Sequence, residues 1–139
     1  HSAGGHLTAM CMAAQWPRYS RGLPEKVMQS GLSVSGIYDL GPIARTPSIN
    51  ADVRLTESDA LKVSPALMPP ATKAPVYIAV GGRELGGFKE QHALLASNWG
   101  SVIAEDIPCP DDNHFTILNS FANPEAELCK AALRMMGLG

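Results

Sequence analysis

The sequence predicts an α/β domain with a mostly parallel sheet, three strands in this chain, and helices on both faces. Three observations carry that prediction. Residues 76–80 (VYIAV) form a short, continuous apolar run between Pro75 and Gly81-Gly82, the mark of a strand buried on both faces. Strand-like runs alternate with helical patterns of about 10 to 15 residues, which implies βαβ crossovers. Hydrophobic residues make up 45% of the 139 and charged residues 17%, a globular composition that argues against a disordered chain.

In chain order, residues 3–15 read as a helix. Leu7, Met10, Cys11 and Ala14 recur at i, i+3, i+4 and i+7, and Met12 and Ala13 fill the remaining faces, so burial on several sides is expected. Pro17 marks its end, and residues 17–29 read as a polar loop. Residues 31–37 (GLSVSGI) alternate and read as a strand, with Gly36 where a backbone needs close approach. Residues 38–42 are turn chemistry, and 43–56 show no firm period. Residues 57–63 read as a short helix with Thr56 as N-cap and Asp59 three residues on.

A proline-rich connector, 67–75, leads to the 76–80 strand and a glycine-rich loop, 81–87. Residues 88–99 form a helix whose Phe88, Gln91, His92, Leu95 and Trp99 share a face, with Gly100 as its cap. The next strand is 102–107, followed by a polar loop, 108–114. A last helix starts with Pro124 in its first turn and places Leu128, Ala131, Ala132 and Met135 on one stripe.

Composition narrows the function. Eleven Lys+Arg against thirteen Asp+Glu give a net charge of -2, which leaves no basic excess for nucleic acid. No apolar run approaches the roughly 20 residues of a membrane-spanning helix, so no membrane partner is expected. Three cysteines (Cys11, Cys109, Cys129) without a CxxC pair argue against a disulfide scaffold or zinc cluster and suit a reducing, cytoplasmic compartment. His1 and His6 form an H-x4-H pair with no third ligand, so no metal site is expected.

Active sites of parallel sheets lie beyond the carboxyl ends of the strands. Ser2 precedes the first helix, Glu84 follows the 76–80 strand and His114 follows the 102–107 strand, in the chain order Ser, acid, His. A serine hydroxyl becomes a nucleophile when an imidazole accepts its proton, and the imidazole needs a carboxylate to fix its tautomer. Ala3, Gly4 and Gly5 supply the small residues that a sharp nucleophile turn requires, and the left-hand Gly of G-x-S-x-G would lie before His1. Each residue also has a plainer reading: Ser2 as a helix N-cap, His114 as a loop histidine bonded to backbone, Glu84 as a solvated acid paired with Arg83. Asp111 and Asp112 are rivals for the acid role, and Asp39 reads as a turn residue.

His1-Ser2-Ala3-Gly4-Gly5-His6-Leu7 resembles the nucleophile turn of α/β-hydrolase esterases. Residues 34–43 (VSGIYDLGPI) resemble the S-G-x-Y-D-L-x-P-I segment of the kynurenine formamidase (arylformamidase)-like branch. Ser64-Pro65, then 80–84 (VGGRE) with Phe88, and Asn113-His114-Phe115 follow in that branch's order and spacing. The resemblance runs nearly end to end but covers only the C-terminal half of the family's domain. It implies that residues 1–139 are that half, beginning at the nucleophile turn, with the N-terminal half as the missing partner.

It further implies Ser2 as nucleophile, Glu84 as triad acid where the family more often has Asp, His114 as general base, and the Ala3 backbone N–H as one oxyanion donor. The implied substrate is a small carboxylic ester or N-formyl (aryl)amide, cleaved through an acyl-enzyme without cofactor or metal. Tyr38, Leu40 and residues 43–63 are expected to shape the substrate pocket. A second reading is a non-catalytic hydrolase remnant serving as an interaction module, motivated by the absent oxyanion segment and by Glu84. The open sheet edge implies that residues 1–139 alone do not form a stable, active monomer. If they fold, an N-terminal segment, a second chain or another copy, as in a homo-oligomer, is expected along that edge.

Overall fold

A computed structural model describes residues 1–138; Gly139, the last residue of the predicted unit, lies outside the described residues. Helix α1 (Ala3–Ala13) leads through the short α2 (Trp16–Tyr19) to strand β1 (Gly31–Val34). Three short helices follow: α3 (Gly41–Ala44), α4 (Pro47–Val53) and α5 (Glu57–Lys62). A 3-10 turn (Pro65–Leu67) enters β2 (Val76–Gly81), then α6 (Gly86–Trp99), β3 (Ile103–Cys109), a 3-10 segment (Thr116–Ala122) and α7 (Glu127–Met136). The strands lie in the order β1-β2-β3 and every pairing is parallel, so the predicted α/β class holds. Gly31 pairs with Val76 across the first ladder and Gly81 with Cys109 at the end of the second.

Alternation along β2 divides the core. Val76 and Ile78 face a cluster containing Ala9 and Met12 of α1 and Leu95 and Trp99 of α6. Tyr77 and Ala79 face a second cluster with Ile107, Ile117, Leu128 and Ala131, the last two from α7. Helices therefore cover both faces. Burial of each large apolar side chain contributes about 1.5–3 kcal/mol. Trp99 is fully buried, and its indole N–H donates to the Met68 carbonyl at 2.8 Å. His92, on the expected face of α6, is buried with Nε2 2.9 Å from an Asp106 carboxylate oxygen.

The buried face of α1 differs from the expected one. Gly5, Ala9 and Met12 point inward, whereas Leu7 is 61% exposed. Sterics select the small-residue face: a Cβ on Gly5 would lie 2.9 Å from the Val34 carbonyl oxygen. Met10, Cys11 and Ala14, the predicted stripe, instead line a surface groove with Trp16 and Tyr19. Strand β1 stops three residues before the predicted end because Ser35 turns into the left-handed region at φ 51°. Where the sequence predicts a loop over 17–29, a turn over 38–42 and no firm period over 43–56, the chain forms α2, which starts at Trp16, and α3 and α4, each with Pro in its first turn.

Helix α5 starts as predicted, with the Thr56 side chain accepting from the Asp59 N–H at 3.1 Å. Helix α6 begins two residues before its expected start, and Gly100 at its end is right-handed (φ -49°, ψ -29°), so it closes no left-handed cap. Helix α7 starts at Glu127, past Pro124, and Gly137 at φ 71° ends it. No helix among the described residues is long and apolar enough to cross a membrane.

Candidate active site

Ser2, Glu84 and His114 converge at the carboxyl ends of the three strands. Ser2 occupies the N-cap position of α1 at φ 53°, ψ -120°, and its N–H donates to the Val34 carbonyl at the end of β1 (2.9 Å). A non-glycine residue at positive φ costs roughly 1–3 kcal/mol and persists only where its surroundings fix it. The side chain makes no capping bond, which sets aside the plain N-cap reading. Ser2 Oγ lies 3.2 Å from His114 Nε2, and His114 Nδ1 lies 2.8 Å from Glu84 Oε2.

Chemistry fixes the proton positions. An ionised carboxylate only accepts, so Nδ1–H donates to Glu84. Neutral imidazole then presents a lone pair at Nε2, where the Ser2 hydroxyl donates. The imidazole is held on further sides. Phe88 stacks on it with centroids 4.2 Å apart, Phe115 meets it edge-on at 5.5 Å, and the His1 ring lies at 4.5 Å. His1 Nε2 donates to the His114 carbonyl at 2.8 Å, tying the loop that carries His114 to the turn that carries Ser2.

The Glu84 side chain is fully buried, a costly position for a charge without partners. It has three: His114 on Oε2, and the Ser35 hydroxyl (2.5 Å) and Gly81 N–H (2.9 Å) on Oε1. Arg83, the alternative partner, pairs instead with the exposed Asp111 at 2.8 Å. Asp112 Oδ2 accepts from the Ser120 hydroxyl. Neither rival aspartate bonds to His114. Cys109 ends β3 close by, but burial, reinforced by Asp112, Asp106 and Glu84, pushes its thiol up to about 11. It is therefore not a thiolate near neutral pH.

The loops after β2 and β3 interlock through glycine. A Cβ on Gly81 would lie 2.3 Å from the Asp112 carbonyl oxygen, and one on Gly82 2.3 Å from that of Pro110. Arg83 N–H donates to the Asp112 carbonyl and Gly82 N–H to that of Cys109, both at 2.9 Å. Gly82→Ala is expected to force these loops apart and to destabilise the protein by about 1–3 kcal/mol. A lowered denaturant midpoint would register this; an unchanged midpoint would contradict the packing argument.

Ala3 is exposed in the first turn of α1, where backbone N–H groups lack intrahelical acceptors. Tyr38 corrects the expected substrate contact. It is fully buried, and its hydroxyl, raised in pKa chiefly by burial, closes a relay from Gly36 N–H through Tyr38 and Ser33 to the Gly5 carbonyl. The close approach expected at Gly36 is to the Tyr38 ring, whose nearest atoms would sit 2.5 Å from an added Cβ. Leu40 is half-buried, and its N–H donates to Ser64 Oγ.

A cavity of about 300 Å³ is lined by Ile37, Pro42, Ile43, Ile49, Leu85 and Phe88 among others, and of these Phe88 stacks on the His114 ring. Ile43 and Ile49 fall within the stretch expected to shape a pocket; Ile37 and Phe88 do not. Gln91 holds the near wall, its Oε1 accepting from the N–H groups of Tyr38 and Asp39 at 2.7 Å each. No cluster of three His, Cys, Asp or Glu able to hold a metal occurs among the described residues. His6 Nε2 donates to the Val63 carbonyl.

No family model matches the chain. The kynurenine formamidase of Salmo salar is 34% identical over 147 residues, covering 99% of this chain and 48% of that protein. The kynurenine formamidase of Danio rerio is 32% identical over 146 residues, again covering 99% and 48%. The backbone matches the crystal structure of a protein from Silicibacter sp. TM1040, provisionally described as a thioesterase. The TM-score is 0.78 at 29% identity, covering 94% of this chain and 47% of that one. The chain thus spans about half the length of each of these proteins. By sequence and by backbone, these relatives are hydrolases by name, and the likeness runs through nearly all of this chain.

Proposed function

We propose that these residues form the catalytic C-terminal part of a serine hydrolase that cleaves a carboxylic ester or an N-formyl aryl amide. The observation that carries this reading is the unbroken hydrogen-bond chain Ser2–His114–Glu84 at the carboxyl edge of the sheet. In the proposed reaction Ser2 Oγ attacks the carbonyl carbon while His114 Nε2 takes its proton. The Ala3 N–H helps to hold the tetrahedral oxyanion; one such donor is worth about 3–4 kcal/mol. His114 returns the proton to the departing alcohol or amine, leaving Ser2 acylated or formylated. Water, deprotonated by His114, then adds to the acyl carbon; the bond to Ser2 Oγ breaks, His114 returns the proton to that oxygen, and the acid leaves. Acyl transfer of this kind uses only these side chains and water.

The apolar cavity against Phe88 suits an acyl or aryl group. The names of the two fish relatives favour the formamide. The thioesterase description favours an ester. Three free cysteines fit a cytoplasmic location. Strand β1, largely buried yet at the sheet edge, suggests that the remaining sequence of the domain completes the sheet.

Assay of the complete natural protein with p-nitrophenyl acetate and with N-formylkynurenine tests the reading, with residues 1–139 alone as comparator. Turnover of at least one substrate by the complete protein, and none by the isolated segment, is expected. A folded complete protein that hydrolyses neither would favour the non-catalytic remnant. A soluble, active, monomeric 1–139 preparation would refute the need for further sequence.

A further inference from the structure

We infer that Ser35 is a positioning residue for the reaction, holding the Glu84 carboxylate in the one orientation that serves His114. The inference rests on the serine-hydrolase reading above and adds a fourth side chain to it. Ser35 is 1% exposed and follows β1 directly. Its hydroxyl donates to Glu84 Oε1 at 2.5 Å, within the range of charge-assisted O–H···O⁻ bonds. Gly81 N–H donates to the same oxygen. Oε2 is thereby left to His114 Nδ1. Glutamate has one more rotatable bond than aspartate, so a carboxylate at the end of this longer arm needs such an anchor to present a fixed edge.

The backbone supports the assignment independently. Ser35 sits at φ 51°, where glycine is the unstrained residue. Yet the glycine of this Ser-Gly pair is at 36, where φ is not left-handed and the Tyr38 ring explains the missing side chain. A side chain is thus kept at the position that disfavours one, and the bond that side chain makes is to Glu84. The structural bond at this position, from Ser35 N–H to the Ala79 carbonyl, belongs to the backbone and would survive loss of the hydroxyl.

Ser35→Gly separates the two roles, because glycine relieves the left-handed backbone while removing the hydroxyl. In the complete natural protein, kcat for p-nitrophenyl acetate is expected to fall about 10- to 100-fold, the scale of loss when a group orienting a metal-bound side chain is removed. KM should be unchanged, and the melting temperature should move by only a few degrees, since relief of the left-handed backbone offsets part of the bond lost to the buried carboxylate. In a Glu84→Ala background the same substitution should cost almost nothing further, since the group it orients is gone. Wild-type kcat in Ser35→Gly, a loss confined to KM, an equal loss with and without Glu84, or loss of the cooperative melt would each overturn the inference. If Ser2→Ala leaves turnover intact, the serine-hydrolase reading itself fails and the role of Ser35 falls with it. An active wild type with an unaffected Ser35→Gly removes only the latter.

Discussion

Replacement of Ser2 by alanine is expected to abolish covalent labelling by a fluorophosphonate probe and to lower hydrolysis by at least about a thousandfold. The effect should be this large because nucleophile and base act as a unit, and removing one member of such a unit costs nearly as much as removing all of them. Among the described residues, the hydroxyl bonded to His114 Nε2 is that of Ser2, at 3.2 Å. Cys109, at the end of β3, is held protonated by burial and cannot substitute as a thiolate. Stability should change little. The Ser2 side chain caps nothing, and its N–H bond to Val34 is made by the backbone. Intact melting together with lost labelling is therefore the expected pair of results. Undiminished labelling in Ser2→Ala would place the nucleophile elsewhere and end the acyl-transfer proposal.

The sequence made the scaffold legible where one physical demand dominated. A five-residue apolar run between Pro75 and Gly81 can hardly be anything but a strand buried on both sides, and β2 is the central strand. Three chemistry-bearing residues at strand ends were visible because a parallel sheet delivers its strand ends to one edge. Periodicity failed on α1, which is apolar or small on every side, so hydrophobicity could not choose its face. Close approach of Gly5 to Val34 and of Met12 to Gly31 made the choice, and that depends on a strand far along the chain. Tyr38 misled for a related reason. A tyrosine in a turn after a strand looks like a pocket residue until Ser33 is found to bond its hydroxyl inside the core. Ser35 left a faint trace, a polar residue followed by glycine at a strand end, but its partner lies 49 residues away. In the sequence Phe88 is one member of a helix face; only the turn of α6 toward the loop of His114 makes its ring a floor for the imidazole.

Glu84→Gln is expected to lower turnover on the order of 10⁴-fold while leaving the fold intact, the size of effect that follows loss of the charged member of a Ser-His-acid triad. The substitution is nearly isosteric, and its consequences follow from donor and acceptor counts. At Oε1 two donors arrive, from the Ser35 hydroxyl and the Gly81 N–H, so an amide must place its carbonyl oxygen there. Its NH2 group then occupies the position of Oε2 and faces His114 Nδ1 with a donor where an acceptor stood. The neutral imidazole answers by moving its proton to Nε2. That nitrogen becomes a donor toward Ser2 Oγ and can no longer take the hydroxyl proton. The negative charge that would stabilise the imidazolium during attack is lost as well.

Because the Ser35 hydroxyl, the Gly81 N–H and His114 Nδ1 each keep a partner at residue 84, the melting temperature should move little. Asp112→Asn, by contrast, should leave turnover near wild type, since that carboxylate bonds Ser120 and not the imidazole. If Glu84→Gln retains full turnover and Asp112→Asn loses it, the acid has been assigned to the wrong loop. If both retain it, His114 works without a carboxylate, and the buried charge on Glu84 must be explained by stability alone.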